Sequence, residues 1–140
     1  MNDRDWKPRF TPNPSGLSAE FYAYGARGEL RFQRCTGCAA WRHLPRVTCA
    51  RCGSDGYEWA LSSGRGHVYT WTVTHQALLP AFADALPYVV AVIELEEGVR
   101  LVSGLRGIGA GELAPDLPVR VGFEKISDTV GLHYFVRRDT

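Results

Sequence analysis

The stretch Cys35-Thr36-Gly37-Cys38, followed after ten residues by Cys49-Ala50-Arg51-Cys52-Gly53, decides the fold of this chain. Each Cys-x-x-Cys is a tight turn that points two sulfurs the same way, so two such pairs can place four thiolates at the corners of a tetrahedron. Zn²⁺ accepts this geometry without directional preference, and four protein ligands leave it no open position. We therefore predict a structural zinc site with ligands Cys35, Cys38, Cys49 and Cys52.

Two disulfides or a thioredoxin-like redox pair are the alternative uses of these cysteines. Disulfides are typical of secreted chains, and no basic segment followed by an apolar run stands at the N-terminus. A redox pair expects one Cys-x-x-Cys that opens a helix after a strand.

The longest apolar run, residues 89–93, is far shorter than the ~20 residues of a membrane-spanning helix. We expect a reduced, cytoplasmic protein that does not enter a membrane.

The charge distribution separates the cysteine region from the rest of the chain. The net charge is only +1, yet residues 27–52 contain six arginines against the single acid Glu29. A zinc tetrathiolate carries a formal charge near −2, so these arginines could simply offset it. Arginine forks also suit phosphate oxygens. The sequence leaves both explanations open.

The N-terminal part, residues 1–28, is predicted to be an arm and a short helix. Three prolines within residues 1–14 exclude a regular helix there. A helix can begin at Ser15 or Ser18 and run to about Tyr24, with Gly25 and Gly28 ending it. Its buried stripe should consist of the residues at helical spacing, which are Leu17, Phe21 and Tyr24.

Residues 29–62 are predicted to form a zinc ribbon of three short strands. The strands should cover 29–34, 41–45 and 57–61, and the metal should hold them together because the unit is too small to fold alone. Gly37 and Gly53 stand where the two turns, or knuckles, of such a ribbon often need unusual backbone angles.

Residues 63–140 are predicted to form a five-stranded OB-fold barrel. Alternating and β-branched segments predict strands at 67–75, 88–96, 99–106, 119–124 and 132–136. A meander of three strands with a longer connection to the fourth is what an OB-fold requires. Period-two alternation should place His67, Tyr69 and Trp71 on one face of the first strand. The apolar second strand should be central and covered on both faces.

Four stretches together carry a resemblance to a known family. These are Leu30–Cys38, Pro45–Ser54, Ser63–Tyr69 at the entry to the barrel, and Pro87–Leu95 in its second strand. They resemble the acyl-CoA-associated rubredoxin-like zinc-ribbon/OB-fold family, long catalogued as a domain of unknown function. The resemblance covers nearly the whole chain. Ala39, and Asp116-Leu117 before Pro118, stand where the family often has glycine.

The resemblance implies a companion subunit of a thiolase-fold enzyme. Such a chain would bind its partner as a hetero-oligomer and help to hold an acyl-CoA at the partner's active site. Its lead reaction would be retro-aldol cleavage of a steroid side-chain CoA thioester, with acyl transfer or Claisen condensation as further possibilities. For the CoA we single out Arg34, Arg46 and Arg51, which could bind phosphates, and Trp71, which could stack on the adenine.

The sequence offers no assembled catalytic site. No Ser-His-Asp or Cys-His arrangement can be built from the spacing of His43, His67, His75 and His133, so we assign no catalytic residue. The alternative function is single-stranded nucleic-acid binding, in which Arg65, Tyr69 and Trp71 would stack bases. The near-neutral net charge argues against it, because binding to a phosphate backbone depends on clustered positive charge.

Overall fold

The computed structural model describes residues 12–139, which form one α-helix, two short 3₁₀ helices (Pro80–Phe82 and Ala110–Glu112) and two β-sheets. Helix α1 spans Gly16–Ala26, and the first sheet consists of β1 (Arg31–Cys35), β2 (Trp41–Arg42) and β3 (Tyr57–Leu61). The second sheet contains β4 (Arg65–Thr74), β5 (Tyr88–Leu95), β6 (Arg100–Gly104), β7 (Pro118–Lys125) and β8 (Gly131–Arg137). The mainly-β class and this order of helix, ribbon and five-stranded unit are confirmed. Nearly all of the predicted arm, 1–14, lies outside the described residues, and the domain limits 1–28, 29–62 and 63–140 stay a prediction.

The ribbon sheet has the order β2-β1-β3 and is antiparallel. Strand β1 is central, and Cys35 is its last residue, so the first knuckle begins where the sheet ends. The side chain of Phe32 is fully buried, as is that of the next residue, Gln33. The ribbon therefore has one apolar side turned towards the rest of the molecule and one buried amide that needs polar partners.

The second sheet has the order β6-β5-β4-β7-β8. Its two edge strands meet at an isolated parallel bridge between Leu105 and Phe135, where the Arg106 N–H donates to the Phe135 carbonyl at 2.9 Å, and at His133 of β8, whose Nε2 lies 3.1 Å from the Val102 carbonyl of β6. The predicted OB-fold strands are present, but the sheet does not close into a continuous barrel. This agrees with the partly open nature of the OB architecture.

A β-bulge in β4 overturns the prediction that His67 and Trp71 share a face. Val68 pairs with Ile93 and Thr70 pairs with Val92, so Tyr69 is an extra residue without a pairing partner on β5. One extra residue reverses the side on which every later side chain lies. Trp71 therefore lies opposite the buried Ala91 and packs against the core, whereas His67 lies on the outer face.

Strand β5 is central, as predicted, but it is not covered on both faces. Ala91, Ile93 and Leu95 are buried on the inner face. On the outer face Val90 is 39% exposed, and Val102 of the neighbouring strand β6 is 61% exposed. A continuous apolar run therefore predicted the strand correctly and the burial of its outer face wrongly.

One hydrophobic cluster joins the three parts of the molecule. Phe21 of α1 and Phe32 of the ribbon belong to the same cluster as Val68, Ile93 and Phe135 of the second sheet. Hydrogen bonds also fix the link between the sheets, residues 62–64. The Ser62 hydroxyl and the Ser63 N–H both donate to the Glu97 carboxylate in the β5–β6 turn. Ribbon and OB unit consequently pack as one body, as the short link predicted.

Helix α1 packs on β7 and β8 through a close approach of two glycines. A Cβ atom added at Gly25 would lie 2.6 Å from the carbonyl oxygen of Gly131. Gly25 is therefore inside the helix as a packing residue, and the prediction that it ends the helix was wrong. Gly28, with φ of +77°, follows the last turn as predicted.

Candidate metal centre and adjoining pocket

The four cysteine sulfurs converge on one point. Sγ of Cys35 lies 3.6 Å from Sγ of Cys52, Sγ of Cys38 lies 3.7 Å from Sγ of Cys49, and all four lie within 4.8 Å of one another. A zinc tetrathiolate with Zn–S bonds of about 2.3 Å has sulfur–sulfur edges of about 3.8 Å. A disulfide would need about 2.05 Å. The donor set therefore fits structural Zn²⁺, and the predicted cofactor is confirmed.

The knuckle backbones favour the thiolate form of the ligands. The Gly37 N–H points at Sγ of Cys35 at 3.3 Å, and the Arg51 N–H points at Sγ of Cys49 at 3.4 Å. The backbone N–H groups of Cys52 and Arg51 lower the pKa of Cys49 to about 6. Although the Ser54 N–H acts to lower it, the neighbouring cysteine side chains and burial raise the pKa of Cys52 to about 11. Four adjacent thiolates thus need a dication to remain ionised together.

The two knuckles have the same backbone course but not the same residue at its tightest point. The N–H of Ala39 donates to the Cys35 carbonyl and that of Gly53 to the Cys49 carbonyl, both at 2.9 Å. Ala39 has φ of +63° and Gly53 has φ of +77°. The unusual backbone angle expected at Gly53 is confirmed. Gly37 has no positive φ, and a side chain there would instead be crowded by Cys52 and Ser54. In the first knuckle the residue under backbone strain is Ala39.

Exchanging the residue types at these two positions should change stability in opposite directions. The left-handed conformation costs a non-glycine residue roughly 1–2 kcal/mol, and the unfolded-state entropy of glycine offsets roughly 0.5–1 kcal/mol of that. Ala39→Gly should therefore stabilise the zinc-loaded protein by about 0.5–1 kcal/mol, and Gly53→Ala should destabilise it by about 1 kcal/mol. Chemical unfolding of both variants tests this, and a change of the same sign in both would contradict it.

A pocket of about 280 Å³ adjoins the metal centre. It lies between the β2 hairpin and the second knuckle, and it is lined by Ala40, Trp41, Arg42, His43, Leu44, Arg46, Cys49, Ala50 and Arg51. Burial, with a smaller contribution from nearby His133, lowers the pKa of His43 to about 4, so this ring is neutral at pH 7. The charge of the pocket therefore comes from its arginines.

The structure brings together two of the four residues predicted to contact CoA. Arg46 and Arg51 both line the pocket. Arg34 does not line it, but its guanidinium lies 5.3 Å from the ring centre of Trp41, which does. Trp71 belongs to the second sheet and is half-buried against the core. Arg42, which was not predicted as a CoA contact, also lines the pocket, and no spacing rule distinguishes it from the other arginines.

His43 and His133 both contact the ring of Phe21, whereas His67 lies on the outer face of β4. His67 lies 3.6 Å from both Glu94 and Asp116, and Nε2 of His133 lies 3.1 Å from the Val102 carbonyl. His43 packs against Phe21, with 5.2 Å between the ring centres. These contacts account for packing and surface pairing, and the absence of a catalytic residue stays a prediction.

Among residues 12–139 no helix is long and apolar enough to span a membrane.

Two family models match consecutive parts of the chain. The model of the ChsH2 rubredoxin-like zinc ribbon domain matches residues 23–58, and that of the ChsH2 C-terminal OB-fold domain matches residues 59–124. Together they cover most of the chain, and they meet within β3, the last strand of the ribbon sheet. They agree with the ribbon and OB unit described above.

Curated relatives share this module within proteins of different length. A probable enoyl-CoA hydratase alpha subunit of Thermomonospora curvata is 38% identical over 73% of this chain and 31% of its own length. The 3-oxo-4,17-pregnadiene-20-carboxyl-CoA hydratase alpha subunit of Mycobacterium tuberculosis is 33% identical over 91% of this chain and 40% of its own. A DUF35 domain-containing scaffold protein of Methanocaldococcus jannaschii is 32% identical, over 68% of this chain and 67% of its own. The chain thus spans well under half of the two hydratase subunits.

A solved structure matches almost from end to end. One chain of the structure titled Ltp2-ChsH2(DUF35) aldolase superposes with a TM-score of 0.81 and is 33% identical, covering 91% of this chain and 98% of that chain. Ribbon, OB unit and their arrangement are therefore shared. The chain belongs to the ChsH2/DUF35 family, in which a rubredoxin-like zinc ribbon precedes an OB-fold domain.

Proposed function

We propose that this chain is a non-catalytic accessory subunit that docks on a thiolase-superfamily enzyme in the cytoplasm and helps to hold an acyl-CoA at that enzyme's active site. One observation carries the proposal. The solved chain that this chain matches over 98% of its length belongs to a structure titled Ltp2-ChsH2(DUF35) aldolase, and that title names a second component, Ltp2. The relative described as a DUF35 scaffold protein supports the same role.

The metal centre supports a role without chemistry of its own. Four thiolates saturate tetrahedral zinc, so no position remains for a water or a substrate carbonyl. The ion supplies folding energy to the ribbon, and the ribbon in turn carries the pocket with Arg46 and Arg51. The proposed acyl-CoA contacts are Arg34, Arg46, Arg51 and Trp71, although the half-buried Trp71 offers the ligand less of its ring than an exposed one would.

Exposed apolar side chains support binding to a partner protein. Several large aliphatic residues are more than half exposed: Leu78 at 85%, Val47 at 67%, Leu44 at 65% and Val102 at 61%. Apolar surface on a folded chain is commonly covered by another subunit. Trp41 and Trp59 are half-buried against the core and are not among these exposed side chains.

The lead reaction of the complex is retro-aldol cleavage of a steroid side-chain CoA thioester. The aldolase title of the matching structure and the pregnadiene-carboxyl-CoA name of the mycobacterial relative support it. Acyl transfer or Claisen condensation by another thiolase-fold partner are the further possibilities. The hydratase names describe proteins of which the shared module is less than half.

The surface on which nucleic-acid binding would depend is arranged differently from the prediction. Arg65 pairs with Glu96 at 3.2 Å, and Trp71 packs on the core. The ring of Tyr69 is covered on one face by the Arg100 guanidinium, 3.8 Å from its centre. No exposed row of aromatic side chains results among these three positions, so we keep this function only as the alternative.

Co-expression tests the proposal. The chain should be produced with a thiolase-fold subunit from the same genome and, in parallel, with a hydratase beta subunit. We expect co-elution in size-exclusion chromatography with the thiolase-fold protein and not with the hydratase subunit. Stable association with the hydratase subunit alone would contradict the proposed partner, and retention on single-stranded DNA at physiological salt would favour the alternative.

A further inference from the structure

The four zinc ligands differ in their access to solvent. Cys35 is 2% exposed and Cys49 is 4% exposed, whereas Cys38 is half-buried and Cys52 is exposed. The oxidation of a cysteine depends on its thiolate character and on its exposure. All four ligands are thiolates while they hold zinc, so exposure is the main difference between them. An oxidant in solution therefore reaches Sγ of Cys52 first.

Two glycines border the exposed sulfur of Cys52. Gly53 follows it directly and has no side chain that covers it. Gly37 faces it from the first knuckle, where a Cβ atom would lie 3.3 Å from Sγ of Cys52. The equivalent ligand of the first knuckle, Cys38, is followed by Ala39 and is half-buried. The two knuckles thus share a backbone course but leave only the second one open at its last ligand.

A second thiolate lies next to Cys52. Sγ of Cys35 is 3.6 Å away, and the other close pair is formed by Cys38 and Cys49 at 3.7 Å. A disulfide has a sulfur–sulfur distance of about 2.05 Å, so the two sulfurs of either pair must approach by about 1.5 Å to form one. Redox-sensing cysteines are typically accessible thiolates with a second cysteine beside them. Only the Cys35–Cys52 pair combines such a neighbour with an exposed sulfur.

We propose that the metal centre is also a peroxide-sensitive switch, in which Cys52 is oxidised first and then forms a disulfide with Cys35, so that zinc is released. The Cys52 thiolate attacks one oxygen of hydrogen peroxide, which breaks the O–O bond and gives a sulfenic acid and a hydroxide ion. The Cys35 thiolate then attacks the sulfenic sulfur, forms the S–S bond and expels a second hydroxide ion. The two thiolates together lose two electrons, and the peroxide accepts both. Cys38 and Cys49 remain as the only thiolate ligands, and structural zinc needs four.

The disulfide would act on the rest of the molecule through β1. Cys35 is the last residue of β1, and Phe32 of the same strand belongs to the core cluster that both sheets share. Loss of zinc therefore unfolds the ribbon and weakens its packing against the second sheet. The change is reversible, because thiols reduce a disulfide, whereas they do not reduce a sulfinic acid.

Peptide mapping of the zinc-loaded full chain tests the order of oxidation. Hydrogen peroxide is added below stoichiometry, the remaining thiols are alkylated in denaturant with a chelator, and trypsin cuts after Arg34, Arg42, Arg46 and Arg51. The cysteines of the first knuckle then share the peptide 35–42, and those of the second lie on the separate peptides 47–51 and 52–65. We expect the first disulfide to join 35–42 to 52–65, with fragmentation placing it on Cys35. Zinc release should rise in proportion to this disulfide.

Cys52→His and Cys38→His form a matched pair of variants. Sets of three cysteines and one histidine also bind structural zinc, and each variant replaces one member of a close sulfur pair. The rate of peroxide-driven zinc release is followed with a colorimetric zinc indicator. We expect it to fall about tenfold or more in Cys52→His and to stay within about twofold of the parent rate in Cys38→His.

Three results would overturn the inference. They are a first disulfide other than Cys35–Cys52, equal rates of zinc release from the two histidine variants, and an oxidised chain that does not take up zinc again after reduction by a thiol. If a histidine variant does not bind zinc, peptide mapping of the parent chain still determines the order of oxidation. These readouts are obtained from the chain alone, so the absence of a complex with a thiolase-fold subunit would leave them unchanged.

Discussion

Cys35→Ser is expected to abolish stoichiometric zinc binding and to unfold the ribbon. Cys35 is a buried ligand, and its Sγ lies 3.6 Å from that of Cys52, so serine removes one corner of the tetrahedron. Structural zinc contributes about 10–16 kcal/mol to the folding of zinc-finger peptides. Unfolding of the ribbon should also destabilise the second sheet, because Phe32, three residues before Cys35, belongs to the core that both sheets share. We expect the apparent Tm to fall by at least about 10 °C.

Metal analysis and thermal unfolding measure this effect. Ala50→Ser is the matched control, since it also introduces a serine into a knuckle, at an exposed position between two ligands. The control should keep its zinc and its Tm. A Cys35→Ser protein that retained stoichiometric zinc and a normal Tm would show that the cysteines do not form the centre described here.

Gly131→Ala is expected to cause the second-largest loss of stability. A Cβ atom at Gly131 would meet the backbone C and O of Gly25 and the N of Ala26 at less than 3.0 Å, a separation that real Cβ atoms essentially never show. Backbone cannot move aside as a flexible side chain can, so α1 must separate from β8. Overpacking typically costs about 1–3 kcal/mol, and we expect the upper end or more. Such a loss lowers the Tm by about 10 °C.

Gly104→Ala provides the control for this substitution. Gly104 is an exposed residue of β6, and a Cβ atom there would have nothing within 4 Å. Alanine should be tolerated, with a change of no more than about 1 kcal/mol in either direction. Unfolding of Gly131→Ala and Gly104→Ala at the same denaturant concentration would contradict the close packing of α1 on β8 described above.

The sequence predicted most of the elements because their signals are local. The Cys-x-x-Cys spacing defines a chelate by itself, so the zinc ligands and the ribbon strands around them could be inferred directly. The five strands of the OB unit follow from alternation and β-branched composition. The prediction was correct wherever a pattern within one continuous segment of the chain was sufficient to determine the structure.

The remaining features depend on contacts between distant segments. The bulge at Tyr69 arises from the register against β5, and nothing in the alternating residues around Tyr69 marks it as the extra residue. The close approach of Gly25 and Gly131 joins residues more than a hundred positions apart. The position of Arg42 at the pocket depends on its hydrogen bond to Gln33 of the neighbouring strand. Sequence periodicity contains none of this information.

A reconstituted retro-aldol cleavage assay tests the central claim most directly. The zinc-loaded chain, the proposed thiolase-fold partner, and the two together are each incubated with a steroid side-chain β-hydroxyacyl-CoA, and the CoA products are quantified. The account predicts cleavage by the complex, little or none by the partner alone, and none by this chain alone. Carbon–carbon cleavage of this substrate by the purified chain without a partner would contradict it.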